Sequence, residues 1–415
     1  MDKKFYRGNR RRLLASLPEE KCMAILSSGY AITQSADETY DFQVNTNFYY
    51  LTGITQAQVH LVLLKNGEEL SEILYIDPYD EFYAKWVGHR LTRDEAAAIS
   101  GVAKKAVHFR PEYETEIAEL AKEYGVVYLD LEKARTVNYN SFGLSEATKW
   151  ENDEAVTVAD VYPYVIRLRT AKQSCEVEEL KEAIRVTGLG VEELMKNCRP
   201  GMYEYQLEAY FDHVIKHEGN RKLSFKTIAA SGINATTLHY SDNNCPLIDG
   251  ELILFDLGCR HNEYRADITR TFPINGKFTP LQRTVYEIVL NANKTVARRA
   301  RAGMTLAELQ AICVKCLTDG CMKAGLIEKP EEIKNYYFHG VSHSIGLDTH
   351  DPCDRKEPLP VGAVISNEPG LYFPQYKIGI RIEDDLVLMK TKAINLSADI
   401  IKEVDEIEAF MANNR

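Results

Sequence analysis

The sequence lacks several features that would assign it to a membrane or secreted protein. Among its 415 residues, no apolar run approaches the roughly 20 residues that cross a bilayer. The first residues, MDKKFYRGNR, lack the apolar core of a secretion signal. We therefore expect a cytoplasmic protein without a membrane partner.

An excess of positive charge is also absent. The chain has 50 Lys and Arg residues against 61 Asp and Glu residues, and its net charge is −11. Because nucleic acids and anionic membranes repel a chain of this charge, neither is expected as a partner. The one basic cluster, RGNRRR at residues 7–12, is interpreted as the solvated face of a first helix.

The cysteines do not form a disulfide framework. Their number, nine, is odd, and they are scattered from Cys22 to Cys353, which fits a reducing compartment. Cys313, Cys316 and Cys321 contain one Cys-x-x-Cys pair, which a redox or zinc site would use. Because no second pair exists and the surrounding apolar residues recur at helical spacing, buried helical thiols are predicted.

Three common catalytic or ligand-binding patterns are missing as well. There is no G-x-S-x-G nucleophile elbow, and no HExxH zinc helix, because the residue after His339 is not glutamate. The segment GLG at 188–190 has Glu193 where a dinucleotide fingerprint needs its third glycine, so no nucleotide site is predicted. His213 and His217 lack a third metal ligand and are interpreted as a polar helix face.

Length and residue pattern predict two domains. The chain of 415 residues exceeds what one hydrophobic core usually serves. Residues 1–165 predict a smaller α/β domain, because short apolar strand candidates alternate with helical segments. Residues 166–415 contain strand candidates separated by amphipathic helices, and they predict an α+β domain with an antiparallel sheet.

Five potential metal ligands lie in the second half of the chain, mostly at the end or on one face of a predicted strand. They are Asp256, Asp267, His343, Glu368 and Glu383. Crowded carboxylates repel one another strongly unless cations lie between them. Four negative side chains balance two divalent ions and leave room for a hydroxide, so the set predicts a two-metal hydrolase.

The register of one predicted hairpin decides how Asp256 and Asp267 meet. Asp256 ends the apolar strand ELILFDLG, and Asp267 lies on one face of the alternating strand YRADITRTF. A two-residue loop at His261 and Asn262 would put the two aspartates directly opposite each other, with Cβ atoms about 4.5–5.5 Å apart. A bulge would change this register.

The remaining carboxylates come from the C-terminal strands. Glu368 stands just before a Pro-Gly break, and Arg381 shares a face with Glu383, so the arginine can hold the carboxylates. Asp384 is expected on the opposite face. Asp385 lies further along the strand and is interpreted as a polar or solvent-facing neighbour.

Histidines concentrate in the segment FHGVSHSIGLDTHD. It places His339, His343 and His350 within twelve positions, among small residues that are unusual around core histidines. Its glycines favour an irregular loop. A further histidine, His239 in LHYSDN, is by itself more typical of a surface or packed position than of a catalytic one.

Together these motifs resemble the Xaa-Pro peptidases of the pita-bread fold, the group of aminopeptidase P and prolidase. The motifs are LHYSDN, the Asp256–Asp267 spacing, HGVSHSIGLDTHD, NEPGLY and GIRIEDD. DFQVNTNFYYLTGI and KWVGHRLT resemble the N-terminal domain of aminopeptidase P, so the resemblance covers essentially the whole chain. It implies a pita-bread catalytic domain with a curved antiparallel sheet and flanking helices.

The resemblance also implies an activity and a mode of assembly. The expected enzyme is an Xaa-Pro aminopeptidase acting on peptides with proline in the second position, by attack of a metal-bridging hydroxide. A homodimer or higher homo-oligomer is expected. Carboxylate-dominated ligation favours manganese, with cobalt, zinc or iron as alternatives.

Roles for the five ligands follow from the same resemblance. Asp256 would be a terminal ligand of one ion, while His343 and Glu368 would bind the other. Asp267 and Glu383 would bridge both ions.

The resemblance assigns four more roles around the ions. His339 and His350 would line the pocket, with His350 near the substrate carbonyl, and His239 would assist at the scissile peptide. Arg381 would lie beside Glu383, which is expected to carry a proton toward the leaving nitrogen.

Two alternatives stay open. The loop PCDRKEPLP replaces the Gly-x-Tyr pattern that the family has after His-Asp, so a prolidase restricted to dipeptides is the nearest one. A non-catalytic pita-bread binding protein is the other, although such relatives typically lose ligands and all five are present here.

Overall fold

The computed structural model describes residues 1–131, 142–220 and 222–414. The chain divides into two units, Met1–Arg169 and Thr170–Arg415. Within the described ranges, no helix is long and apolar enough to cross a membrane.

The first unit contains seven helices and eight strands among its described residues. The helices are α1 (Lys3–Ser16), α2 (Thr46–Thr52), α3 (Glu81–Val87), α4 (Arg93–Ser100), α5 (Tyr113–Tyr124), α6 (Phe142–Thr148) and α7 (Tyr162–Thr170). The strands are β1 (Lys21–Ser27), β2 (Thr33–Ser35), β3 (Glu38–Thr39), β4 (His60–Asn66), β5 (Glu69–Ile76), β6 (Val107–Phe109), β7 (Val126–Leu129) and β8 (Thr157–Asp160).

Six of these strands form one mixed sheet in the order β6-β5-β4-β1-β7-β8. The central pairs β1–β4 and β4–β5 are antiparallel, and the outer pairs are parallel. Strands β1 and β4 are nearly continuous apolar runs, and their side chains are buried on both faces, as expected of central strands covered by helices. The predicted α/β class of this part of the chain is confirmed.

One residue of the basic cluster departs from its interpretation as a solvated helix face. Arg10 lies on α1, but only 1% of it is exposed. Its guanidinium donates to Glu72 and to the carbonyl oxygens of Leu51 and Ser100 at 2.6–2.9 Å. Arg10 therefore connects three segments of the first unit, a role that only distant contacts reveal.

His60, at the start of β4, is a buried histidine with an unusual environment. Its ring contacts the rings of Tyr113 and Phe142, each with its centroid 4.7 Å away, and its Nδ1 has no hydrogen-bond partner. Burial, with smaller contributions from Arg110 and Lys149, lowers the pKa of His60 to about 3. The folded unit therefore holds this imidazole neutral.

Acid should destabilise the first unit through His60. The pKa of His60 is about 3 in the folded protein, below the unfolded value of about 6.5. The contribution of the neutral imidazole to the free energy of unfolding is therefore complete above pH 6.5 and declines as the pH falls toward 3. We expect His60→Phe, which keeps a ring in this stack, to remove about 2 kcal/mol of the stability loss between pH 7 and pH 5.

Tryptophan fluorescence during denaturant unfolding measures this effect. Both tryptophans of the chain, Trp86 and Trp150, lie in the first unit, so the signal reports that unit. His213→Phe, a change at a helix residue of the second unit, is the control. A His60→Phe protein whose pH dependence matches the wild type would contradict the prediction.

The second unit contains five helices and ten strands among its described residues. The helices are α8 (Ser174–Asn197), α9 (Glu204–His217), α10 (Pro280–Arg299), α11 (Leu306–Lys323) and α12 (Val404–Asn413). The strands are β9 (Ile228–Ser231), β10 (Leu252–Leu257), β11 (Arg260–His261), β12 (Tyr264–Arg265), β13 (Ile268–Pro273), β14 (Val364–Asn367), β15 (Gly370–Phe373), β16 (Ile378–Arg381), β17 (Asp384–Leu388) and β18 (Ala393–Asn395).

The strands of this unit pair in an antiparallel manner. Two three-stranded sheets have the orders β13-β10-β9 and β14-β17-β18, and β15 pairs with β16. Apolar faces of the helices and strands merge into one hydrophobic core. The predicted α+β class is confirmed.

Two local patterns in the helices have structural explanations. The GLG segment lies inside α8, where a Cβ on Gly190 would come within 2.3 Å of the Phe211 ring, so the glycine permits close packing against α9. In α11, Cys313 and Cys321 are buried and Cys316 is partly exposed, and all nine cysteines are free. The prediction of helical thiols is therefore confirmed.

Candidate active site

The hairpin between β10 and β13 has a different register from the predicted one. Its turn lies at Asn262 and Glu263, and Asp256 pairs with Thr269 rather than with Asp267. Both turn residues have positive φ, 46° and 66°, as a type I′ turn requires. Because the register shifts by two residues, Asp267 keeps its face and lies diagonally from Asp256.

Three of the predicted ligands meet around one imidazole. His343 Nε2 lies 3.4 Å from Asp267 Oδ2 and 3.5 Å from Glu368 Oε1. One ligand atom each of Asp267, His343 and Glu383 lies within 4.8 Å of the others. These residues come from distant segments, and only the tertiary fold brings them together.

The strands explain why these side chains converge. Glu368 follows β14, and Glu383 is the second of the two residues between β16 and β17. The segment that carries His343 runs beside β14, because Ser366 N–H donates to the His343 carbonyl oxygen and Glu368 N–H donates to that of Val341, both at 2.9 Å.

Asp256 joins the group through Arg381. The Arg381 guanidinium donates to Asp256 Oδ2 at 2.6 Å and to Thr269 Oγ1 at 3.1 Å. The Thr269 hydroxyl in turn donates to Glu383 Oε2 at 2.7 Å. Arg381 therefore holds the Asp256 carboxylate directly and the Glu383 carboxylate through Thr269. The sequence interpretation had not identified this role of Thr269.

The carboxylates are held close together in a buried setting. Burial, followed by the charges of neighbouring carboxylates, raises the pKa of Asp267 and of Glu383 well above the usual values. Burial also raises the pKa of Glu368 to about 7. For His343, burial is the largest cause of a pKa of about 3. The protein alone thus favours uncharged forms at this site.

Two buried carboxylate oxygens that lack a hydrogen-bond partner indicate that the site binds a further group. Asp256 Oδ1 and Glu383 Oε1 are buried and have no hydrogen-bond partner. An unsatisfied buried acceptor costs about 1–3 kcal/mol, and a cation would supply the missing interaction. Four carboxylates and one imidazole match the donors that hard or borderline divalent ions prefer. The residues therefore fit divalent metal ions.

Tyr372 connects Arg381 to His339. The Arg381 Nη1 group donates to the Tyr372 hydroxyl at 3.1 Å, and this hydroxyl donates to His339 Nε2 at 2.8 Å. His339 Nδ1 donates to the Gly340 carbonyl oxygen at 2.8 Å. A Cβ on Gly370 would lie 2.6 Å from the Tyr372 hydroxyl, so this glycine leaves the space for it. The sequence interpretation missed Tyr372, although NEPGLY contains it.

The other predicted histidines surround this cluster. His350 is exposed, and its ring meets that of His343 edge to face with centroids 4.3 Å apart. His239 lies in an exposed turn after β9. Burial lowers the pKa of His339 to about 4 and also lowers that of His350, and His239 contributes to both shifts. His239 thus lies within electrostatic range of both His339 and His350.

The interpretation of Asp385 as a polar or solvent-facing residue is wrong. Asp385 is fully buried, and its Oδ2 accepts a hydrogen bond from the Asp267 backbone N–H at 3.2 Å. Burial raises its pKa well above the usual value. Asp384 points the other way, as predicted, and lies 2.9 Å from the Arg270 guanidinium.

A second group of potential ligands lies in the first unit, at His108, Glu112 and Glu116. Hydrogen bonds explain the position of Glu116, because its Oε2 accepts from the Tyr75 hydroxyl at 2.6 Å and lies 2.8 Å from His108 Nδ1. In the part of the chain that is described, no third ligand completes a metal group with His213 and His217, whose rings stack 6.0 Å apart.

An α+β unit whose buried carboxylates converge on a histidine defines a metal-dependent hydrolase. Comparison with protein families matches residues 178–390 to metallopeptidase family M24 and residues 6–128 to the aminopeptidase P N-terminal domain. The chain therefore belongs to metallopeptidase family M24, and its resemblance to the pita-bread peptidases is confirmed.

Known proteins resemble the chain over almost its entire length. The Xaa-Pro aminopeptidase of Escherichia coli is 35% identical over 430 residues, with 98% of this chain and 97% of the relative covered. A solved structure from Bacillus anthracis assigned to aminopeptidase P has a TM-score of 0.97 and 42% identity, covering 100% of this chain and 99% of its own. Zinc-substituted aminopeptidase P of E. coli in complex with product has a TM-score of 0.92 and 32% identity, with 100% and 99% covered.

Proposed function

We propose that the chain is an Xaa-Pro aminopeptidase, which hydrolyses the bond between an N-terminal residue and a proline in the second position. The main support for the proposal is the convergence of the carboxylates on His343. The chain is also similar to an Xaa-Pro aminopeptidase over nearly its whole length. The proposed substrates are peptides with proline as the second residue.

Two divalent ions are the proposed cofactors. Asp256 would hold one ion together with Asp267 and Glu383, and His343 and Glu368 would hold the other together with the same two carboxylates. The oxygen-rich donor set favours manganese, with cobalt, zinc and iron as alternatives. When bound, such ions lower the pKa of a water molecule and polarise the scissile carbonyl group.

The side chains around the ions position the reacting groups and move the proton. Arg381 holds the Asp256 carboxylate through the 2.6 Å hydrogen bond. The Glu383 carboxylate, oriented by the hydrogen bond from the Thr269 hydroxyl, accepts the proton that the attacking water loses. Glu383 then delivers this proton to the proline nitrogen as the C–N bond breaks. This transfer is needed because the departing proline nitrogen would otherwise leave as a strongly basic anion.

The histidines bind the substrate in this proposal. His350, exposed beside His343, hydrogen-bonds the carbonyl oxygen of the scissile bond, and His239 assists at the same peptide group. His339 lines the pocket in the orientation that Tyr372 and the Gly340 carbonyl maintain.

The proposal also includes domain organisation, location and assembly. The N-terminal domain spans residues 1–165 and the catalytic domain spans residues 166–415. Nine free cysteines support a reducing, cytoplasmic compartment. The resemblance of KWVGHRLT to aminopeptidase P supports a homodimer or higher homo-oligomer.

Chelation and metal add-back test the proposed cofactor and substrate together. We expect a chelator to abolish hydrolysis of an Xaa-Pro-Xaa tripeptide, because the carboxylate cluster lacks the cations it needs. Manganese alone should restore more activity than cobalt, zinc or iron. The measurement is release of the N-terminal residue after each metal is added separately.

Matched peptides separate the alternatives. A tripeptide with alanine in the second position is the control and should not be cleaved. Hydrolysis of an Xaa-Pro dipeptide alone would identify a prolidase instead. Equal activity in excess chelator would refute metal catalysis.

A further inference from the structure

A buried ion pair lies beside the histidine segment, outside the group of proposed ligands. Lys172 Nζ lies 2.9 Å from Asp351 Oδ2, and 1% of each side chain is exposed. Removing two charges from water is costly, and well-packed apolar residues often stabilise a fold as much as a buried pair does. Stability alone is therefore a weak explanation for Lys172 and Asp351, and their other contacts indicate a further role.

Lys172 contacts the residues that directly follow two histidines of the site. Asp351 follows His350, and Ser344, whose Oγ accepts from Lys172 Nζ at 3.4 Å, follows His343. The backbone N–H of Asp351 donates to the Ser344 carbonyl oxygen at 2.8 Å, which joins the two positions. Lys172 thus connects the backbone next to one histidine with the backbone next to the other.

Asp351 also fixes the turn between these histidines. Its Oδ1 accepts a hydrogen bond from the Asp348 backbone N–H at 3.1 Å, while its Oδ2 accepts from Lys172. A Cβ on Gly346 would lie 2.8 Å from Asp351 Oδ2 and 2.9 Å from Lys172 Cε. Only glycine therefore allows the chain to close over the ion pair at this point.

The backbone of Lys172 is itself anchored. Its N–H donates to the Gly362 carbonyl oxygen at 3.0 Å. Gly362 has a φ of 88°, and a Cβ there would lie 2.7 Å from the Lys172 carbonyl oxygen. Lys172, just ahead of α8, is thus held beside Gly362, two residues before β14. Its ammonium group reaches the histidine segment from this fixed point.

We propose that Lys172 is a positioning residue, acting through Asp351 and Ser344 on the relative orientation of the His343 and His350 rings. These rings lie edge to face, 4.3 Å between centroids. The inference rests on the proposed function, which assigns His343 to a metal ion and His350 to the substrate carbonyl. Mutation of a group that orients a metal-binding histidine typically lowers metal affinity or activity by about 10- to 100-fold.

The double variant Lys172→Met/Asp351→Leu tests this role. It removes both charges of the pair together and replaces them with apolar side chains of similar size, so it is expected to fold. We expect kcat to fall by about 10- to 100-fold, with KM little changed. In metal-free protein labelled with ¹⁵N-histidine, the ring resonances of His343 and His350 should shift while those of His213 stay in place.

Two further variants separate positioning from general stability. Thr187→Val is the matched control, because Thr187 is buried in α8 and its hydroxyl donates to the Ala183 carbonyl oxygen at 2.8 Å, away from Lys172 and Asp351. It should leave kcat and both histidine resonances unchanged. Lys172→Arg retains the charge and should show a smaller change in the same direction. If the double variant does not fold, Lys172→Arg decides by the same two measurements.

The outcomes for Lys172 and for the proposed function are distinguishable. Unchanged histidine resonances in the folded variants would overturn the positioning role, and so would an unchanged kcat. A wild-type protein without peptidase activity would remove the proposed function. The resonances would still report the effect of Lys172, because they are recorded without metal or substrate.

Discussion

Replacing Glu383 with glutamine is expected to lower kcat/KM by about 10²–10⁴-fold through loss of proton transfer alone. Loss of metal binding would add to this decrease, because Glu383 is proposed to bridge both ions. The amide keeps the shape of the side chain, and its oxygen can still accept the hydrogen bond from the Thr269 hydroxyl. The variant therefore removes the charge and the basic oxygen with little change in packing.

The same substitution should stabilise the metal-free protein. Glu383 is 1% exposed, and burial raises its pKa well above the usual value, so its charged form opposes folding without metal. A glutamine N–H₂ can donate to the neighbouring carboxylates. We expect a gain of about 1–3 kcal/mol, from relief of an unsatisfied buried acceptor. At roughly 2–4 °C per kcal/mol for a unit of this size, the melting temperature should rise.

Activity assays of the metal-loaded protein and calorimetry of the metal-free protein measure the two effects. Glu287→Gln, at a side chain on α10 that is 54% exposed, is the control and should change neither quantity. A Glu383→Gln protein that keeps its activity, or that melts lower without metal, would show that the carboxylate has a different role. The opposite signs of the two changes make the test specific to a metal-binding residue.

Replacing Arg270 with methionine is expected to produce the largest loss of stability, about 3–5 kcal/mol, because it breaks a buried ion pair. Arg270 and Asp384 are both fully buried and lie 2.9 Å apart. The guanidinium also donates to backbone carbonyl oxygens at 2.5–3.2 Å, those of Thr269, Glu383, Ile400 and Ile401. Removing it takes a donor from each of these acceptors and leaves Lys402 as the remaining cation beside the Asp384 carboxylate.

The electrostatics of Asp384 support this expectation. Burial raises its pKa, but the charges of Arg270 and Lys402 outweigh burial, and the net pKa is lowered. Arg270→Lys should lose an intermediate amount, because an ammonium group cannot supply the planar set of donors that a guanidinium offers. The position also holds the Glu383 carbonyl, so activity should fall together with stability.

Thermal unfolding followed by circular dichroism measures these losses. Arg283→Met is the control, because Arg283 is 42% exposed and forms an ion pair with Glu287 on the surface. Such exposed pairs contribute about 0–1 kcal/mol. If Arg270→Met lost no more stability than Arg283→Met, the Arg270 network would not be a determinant of the fold.

The local elements around the site could be predicted because their sequence patterns are strong. The apolar run before Asp256 forms β10, and the alternating segment after Asp267 forms β13. Glu368 stands at the end of β14, where the Pro-Gly pair stops the strand. The four carboxylates among the proposed ligands suggested a cation site already in the sequence, because crowded carboxylates need cations between them.

The register of the hairpin was not predictable from these patterns. A turn at His261 and Asn262 and a turn at Asn262 and Glu263 both preserve the alternation of faces, so hydrophobic patterning does not separate them. The second is adopted, with Glu263 at a φ of 66°, an uncommon conformation for glutamate. Contacts outside the hairpin contribute: the Ser224 N–H donates to the Gly258 carbonyl oxygen at 2.8 Å, and the Arg265 N–H donates to the Gly346 carbonyl oxygen at 2.9 Å.

By itself, the sequence determined the α/β class of the first part and the α+β class of the second part, and it provided the residues proposed to bind metal. Only the tertiary structure decided the surroundings of each side chain. Adjacent aspartates show the difference: Asp384 pairs with Arg270, whereas Asp385 is buried against the backbone of Asp267. The physical reason is that successive strand residues point to opposite faces, and distant segments determine what packs on each face.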